Sequence, residues 1–222
     1  MTLLAVLATV VTASMMLSGI PRTLAMRRAG STLDQPFFPI LAMFACTALW
    51  CKYGLLIHDT AIISVNGLGL VVSTLNAYVY HSVSGSLQEY AERQFCITAA
   101  SVASLLAFIV LGVASPDRAV VYLGLMACIG SLVMFGAPLI SLKQVLATKN
   151  AQVLSMPFSI TSLGTSTLWT LYGMSIGDWN IIIPNAIGAF LASIQVFLIV
   201  LYEGIGFDKL RTTSTPLPQT MP

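Results

Sequence analysis

Seven stretches of about twenty mostly apolar residues, set apart by short polar or turn-forming segments, run through this chain at 2–21, 36–57, 60–81, 94–114, 119–142, 156–176 and 180–202. A helix needs about 20 apolar residues to cross the roughly 30 Å hydrocarbon layer of a bilayer, so each stretch predicts a transmembrane helix. The first has the length of a secretory leader. It lacks basic residues before its apolar run, and Arg22, Arg27 and Arg28 follow it, so it reads as a retained span.

The polar residues inside this pattern recur. Residues 49–69 read LWCKYGLLIHDTAIISVNGLG and residues 168–188 read LWTLYGMSIGDWNIIIPNAIG, identical at ten of 21 positions. The matches include Trp50/Trp169, Tyr53/Tyr172, Gly54/Gly173, Asp59/Asp178, Asn66/Asn185 and Gly69/Gly188. Apolar bias repeats Leu and Ile; it does not repeat Trp, Tyr, Asp and Asn in register. The chain therefore divides into a first three-helix repeat (3–82), a linker helix (94–114) and a second three-helix repeat (119–205). A Pro/Thr-rich tail (206–222) has no packing pattern and is expected to be disordered. The expected fold is an all-α integral membrane protein of seven helices, arranged 3+1+3.

Composition agrees. The 222 residues are 57% hydrophobic and 8% charged, whereas a soluble domain carries about 25% charged residues. The net charge of +2 comes with no basic patch, which excludes nucleic acid as a partner. Cys46, Cys51, Cys96 and Cys128 lie in apolar sequence without a CxxC, so they read as structural thiols. Charge also orients the spans. With the N-terminus outside, Arg22, Arg27, Arg28, Arg93, Lys143, Lys149, Lys209 and Arg211 are cytosolic; Arg118 is outside and Lys52 near the outer end of span two. The expected topology is N-out and C-in. The extra fourth crossing gives both repeats the same orientation, so the repeat is parallel and leaves a cavity between its halves.

Each half offers that cavity the same side chains. A lone membrane Trp is usually an interfacial anchor, and a lone membrane Asn usually joins helices. Recurrence at matched positions points instead to Trp50, Trp169, Asn66 and Asn185 facing one another as a substrate site. Amides hydrogen-bond hydroxyls, and indole offers an apolar face to a sugar ring. Trp50 is the less firmly assigned of the four. No Asp, Glu or His sits near the middle of a span, so no ion-coupling group is visible. Asp59 and Asp178 read as helix N-caps, and His58 and His81 as interface residues without partners. No cofactor, metal cluster or nucleophile–base pair is found, which argues against an enzyme. Neutral chemistry of this kind suits a uniporter for an uncharged polyhydroxyl solute. Pro21 and Pro138 (contexts SGIPRT and FGAPLI) end spans one and five, while Pro39 and Pro157 begin spans two and six. Each removes a backbone hydrogen bond, and four on one side read as a gate. Pro184, before Asn185, is placed to bend span seven; Val65 is its counterpart.

Taken together, the 3+1+3 spans, the four prolines, the W-x-x-Y-G segments and the paired Asn residues resemble the SWEET (saliva-type) sugar transporter family over about residues 3–205, and animal members more than plant ones. The resemblance implies passive, bidirectional alternating access for a mono- or disaccharide such as glucose. It places Asn66, Asn185, Trp169 and Trp50 at the substrate, Pro21, Pro39, Pro138 and Pro157 in a hinge tetrad, and Tyr53, Tyr172 and Asp178 toward the outer gate. Bulky Trp on both sides favours a hexose over sucrose. The copies differ by one residue in their proline-to-tryptophan spacing (39 to 50 against 157 to 169), so the two gates are not strictly equivalent. The implied partners are the sugar, the lipid bilayer and further copies in a homo-oligomer. The expected membrane is the plasma membrane, with the Golgi as the alternative.

Two other readings fit seven spans. A Pro-Gln-loop amino-acid transporter would carry Pro-Gln where this chain has Pro21-Arg22 and Pro138-Leu139; its Pro-Gln is in the tail, at Pro218-Gln219. A non-transporting cargo receptor would need charged residues in the cavity.

Overall fold

Most helix starts fall where the sequence supplies a cap or a proline. The structure is a computed structural model that describes residues 2–112 and 115–203. Its helices are α1 (Leu3–Leu17), α2 (Ile20–Ala29), α3 (Phe38–Leu56), α4 (Thr60–Val83), α5 (Gln88–Gly112), α6 (Pro116–Met134), α7 (Gly136–Thr148), α8 (Met156–Ile176) and α9 (Trp179–Glu203), with a single 3₁₀ turn at Gly85–Leu87. Thr2 caps α1 by accepting from Ala5 N at 3.3 Å, and Asp59 caps α4 by accepting from Ala61 N and Ile62 N at 2.9 and 3.1 Å. Such caps satisfy N–H groups that a helix start otherwise leaves unpaired. The expected tail at 206–222 lies outside the described residues.

Among the described residues, six stretches are long and apolar enough to cross a membrane: Leu3–Ala29, Phe38–Leu56, Thr60–Val83, Gly85–Gly112, Pro116–Thr148 and Trp179–Glu203. The protein is an all-helical, multi-pass membrane protein. α8 is not among the six, although at 21 residues it is longer than α3 at 19. Eight of its residues are Ser or Thr. Several of these hydroxyls bond back to the helix's own carbonyls, as Thr161 does to Pro157 O and Thr170 to Ser166 O, both at 2.8 Å. That keeps their polarity internal.

Span one differs from its expected end at residue 21. The helix breaks at Ser18–Gly19 and resumes as α2, which runs to Ala29 with Arg27 and Arg28 in its last turn. Cations suit the negative end of the helix dipole, so the segment stays helical beyond the apolar window. Phe135 makes the matching break between α6 and α7.

The helices form two similar groups. α4 lies between α3 and the α1–α2 pair, and α9 lies between α8 and the α6–α7 pair. Contacts of α3 with α6 and of α1 with α8 join the groups, while α5 packs on α3, α4 and α6. The buried core is shared at one end and divided at the other. Near the aspartates, Ala5, Tyr53, Ile62, Leu123, Tyr172 and Ile181 belong to one cluster drawn from both groups. Toward the prolines, Met26, Phe37, Ile40 and Tyr80 form one cluster, and Leu142, Val145, Leu198 and Ile199 another. The groups therefore meet at the aspartate end and keep separate cores at the proline end.

Candidate functional site

The W-x-x-Y-G segments on α3 and α8 set the site. Residues three apart share a helix face, and each Trp–Tyr pair packs edge to face, with ring centroids 5.5 Å apart for Trp50–Tyr53 and 5.6 Å for Trp169–Tyr172. The glycine that follows lets the next helix come close. A Cβ on Gly54 would lie 3.0 Å from Ile62 Cγ2, and one on Gly173 would lie 2.9 Å from Ile182 Cγ1 and 3.1 Å from the Ile182 backbone nitrogen.

Each ring of these pairs then reaches into the other group. Trp50 Nε1 donates to Ser131 Oγ of α6 at 2.9 Å, and Trp169 Nε1 donates to Thr12 Oγ1 of α1 at 2.8 Å. Tyr53 Oη donates to Asp178 Oδ2 at 2.7 Å, and Tyr172 Oη donates to Asp59 Oδ2 at 2.6 Å. Bonds to a carboxylate are short and stronger than neutral ones. Each aspartate uses its two oxygens separately: Oδ1 accepts from backbone N–H groups at the start of its own helix, including Asn180 N at 2.9 Å for Asp178. These four side-chain bonds cross between the groups in two pairs, with 12 matching 131, 50 matching 169, 53 matching 172 and 59 matching 178. Every match keeps the repeat's offset.

Below the tyrosines lies a cavity of about 280 Å³. Trp50, Asn66, Trp169 and Asn185 all line it, so the structure brings the four expected substrate residues together. Asn66 Nδ2 donates to Ile62 O at 2.9 Å and Asn185 Nδ2 to Ile181 O at 2.8 Å. Anchoring the amide nitrogen to its own helix leaves each Oδ1 without a protein partner among the described residues. Ser131, Ser166 and the buried hydroxyl of Thr165, unpaired among the described residues, also line the cavity, and none of its described lining residues is ionisable.

Other expected residues fall differently. Tyr53, Tyr172 and Asp178 meet at the aspartate end, and Asp59 does more than cap a helix and belongs with them. The prolines do not act alike. Pro21 and Pro138 stand in the first turns of α2 and α7, just past the breaks where another helix runs into them, whereas Pro39 and Pro157 stand in the first turns of α3 and α8 after non-helical chain. A first-turn proline has no internal hydrogen bond to remove, so Pro39 and Pro157 start helices and do not kink them. His81, expected without a partner, faces Glu92 at 3.6 Å. The sequence reading missed Thr12 and Ser131. Their signal was a hydroxyl pair in the repeat's register, hidden because Thr and Ser are not identical.

Known proteins place this arrangement. The family described as "Sugar efflux transporter for intercellular exchange" matches residues 2–86 and 121–204. The chain is similar to the sugar transporter SWEET1 of Danio rerio, 30% identical over 84% of this chain and 85% of that one, and to that of Rattus norvegicus, 30% identical over 86% of both. Its fold is similar to the solved structure of a eukaryotic SWEET transporter at TM-score 0.83, with 19% identity over 90% of this chain and 95% of that one. A membrane protein with a repeated Trp, Tyr, Asp and Asn register around a neutral cavity, this chain belongs to the SWEET family of sugar transporters.

Proposed function

We propose that this protein carries a monosaccharide such as glucose passively, in either direction, by alternating access of the cavity between two parallel three-helix repeats. The observation that carries the reading is the cavity lined by Asn66, Asn185, Trp50 and Trp169 without an ionisable side chain. A sugar hydroxyl can donate to each free Asn Oδ1, and the two indoles cover the apolar faces of a pyranose ring. The cavity, about 280 Å³, lies just below the roughly 300–1,000 Å³ range of drug-sized sites. That size favours one ring over a disaccharide. With no intramembrane charge at the site, transport needs no proton or sodium gradient.

In this reading α8 is the seventh span and α5 the linker of a 3+1+3 carrier. The basic residues of α2 and α7 support a cytosolic proline end and an outside N-terminus. The Tyr53–Asp178 and Tyr172–Asp59 bonds then serve as the outer gate, and the separate cores at the proline end support an inward-facing state. Pro21 and Pro138, beside the helix breaks, are the hinges; Pro39 and Pro157 fix where α3 and α8 begin. The plasma membrane is the proposed location, with homo-oligomers there.

The test is counterflow of radiolabelled glucose in proteoliposomes without an ion gradient, for wild type and Asn185→Ala. Uptake by wild type that the variant lacks supports the reading. Equal uptake by both moves the substrate site elsewhere. No uptake by folded wild type, with glucose or other monosaccharides, overturns it.

A further inference from the structure

The two Tyr–Asp bonds obey the repeat, but their surroundings do not. Where the first copy has Ala61, the second has Asn180; where the first has Ala5, the second has Gly124. Asn180 Nδ2 donates to Tyr53 Oη at 3.1 Å while that hydroxyl donates to Asp178 at 2.7 Å. Tyr53 therefore makes two bonds across to the second group. Tyr172 makes one, to Asp59, because the Ala61 side chain has nothing to donate. Space follows the same division. A Cβ on Gly124 would lie 2.5 Å from Asn180 Nδ2 and 2.8 Å from Tyr53 Cε2. Ala5 and Ala61 are each 1% exposed, so the first copy fills with two methyl groups what the second gives to an amide. The two differences from strict repetition thus fit each other.

We infer that Asn180, given room by Gly124, is a positioning residue that makes the Tyr53–Asp178 latch stronger than Tyr172–Asp59 and biases the empty carrier toward closure at the aspartate end. The inference rests on the alternating-access reading above. A phenol that accepts one hydrogen bond donates a better one, and the amide also holds the ring against the start of α9. Closing this end makes three bonds between the groups; without Asn180 it makes two. A net neutral hydrogen bond changes such an equilibrium about fivefold. A passive carrier cannot alter the final sugar distribution. The bias decides which side the empty site faces, and so makes half-saturation unequal on the two sides.

The test is the distance distribution between spin labels at positions 60 and 179, at the starts of α4 and α9, in sugar-free nanodiscs and a background without native cysteines. It is read in wild type and also with Tyr172→Phe, to bring the open state into range. Asn180→Ala should raise the open population about fivefold. Gly124→Ala/Asn180→Ala, which copies the first repeat's own pair of alanines, should keep that shift near wild-type thermal stability once the Tyr53 ring gives by a few tenths of an ångström to the new methyl. Ala5→Gly/Ala61→Asn should lower the open population by a similar factor. An unchanged distribution in Asn180→Ala overturns the inference, as does a double variant that returns to wild type, since packing and not the amide would then be responsible. If Asn180→Ala does not fold, the double variant decides. No sugar enters this measurement, so failure of sugar transport would appear in counterflow and not here.

Discussion

The hydroxyl of Tyr172 on α8 donates to Asp59 Oδ2 at the start of α4 across 2.6 Å, joining two residues 113 positions apart in the chain. A hydrogen bond to a charged group contributes about 1.5–3 kcal/mol. Tyr172→Phe should therefore weaken closure at the aspartate end about tenfold or more while leaving the ring's packing on Trp169 intact. The labels at 60 and 179 measure the shift, and an unmoved distribution would mean that this bond does not hold the end closed.

Asp59 serves two ends at once, and substitution can separate them. Asn is as good a cap as Asp, whereas Ala costs about 1 kcal/mol of helix stability. Asp59→Asn should keep the melting temperature near wild type and still loosen the latch, because a neutral amide oxygen is a weaker acceptor for Tyr172. Asp59→Ala should lose both. Thermal unfolding in detergent, read beside the label distances, distinguishes the two.

The indole bonds should couple energetically across the groups. Trp169→Phe and Thr12→Val each remove one side of the 2.8 Å bond. In a double-mutant cycle the pair should show a coupling of about 0.5–1.5 kcal/mol in stability. Trp50→Phe with Ser131→Ala should couple similarly, through its 2.9 Å bond. Additive effects in both cycles would mean that the indole N–H groups contribute nothing to holding the groups together.

Gly173 lies too close to α9 for any side chain. Its Cβ would meet the Ile182 backbone nitrogen at 3.1 Å, and backbone cannot swing aside as a side chain tip can. Gly173→Ala should force α8 and α9 apart at a cost of about 1–3 kcal/mol. Gly124→Ala has a partial remedy that Gly173→Ala lacks, since Asn180→Ala removes the amide met at 2.5 Å and leaves the Tyr53 ring, at 2.8 Å, to shift. A melting temperature unchanged by Gly173→Ala would show that the helices have slack here.

The register of Trp50, Tyr53, Asp59 and Asn66 with their second copies was legible in the sequence because large polar residues stand out in apolar surroundings. It was enough to place both halves of the cavity and the aspartate end. What escaped has physical reasons. Thr12 and Ser131 lie outside the repeated segments 49–69 and 168–188, and the matched contexts of Pro21 and Pro138 stand out of the register that joins them, so the hydroxyl pair does not show in the sequence. The span ends near Ala29 and Thr148 were hidden because helix continues where apolarity stops. Whether a proline kinks a helix or begins one depends on the hydrogen bonds of its neighbours. Spacing alone treats Pro21 and Pro39 alike, and the backbone does not.

The hydroxyl-rich sequence of α8 also bears on how the chain is made. A segment too polar to enter the bilayer readily when it leaves the ribosome needs a companion, and α9 is both apolar and packed along it. A nascent chain ending after residue 176 should therefore leave α8 outside the lipid, and one extended through residue 203 should draw it in. Glycosylation acceptor sites placed on either side of α8 would report which has happened. The residues that give the cavity its hydroxyls thereby tie the last two helices together from biogenesis onward.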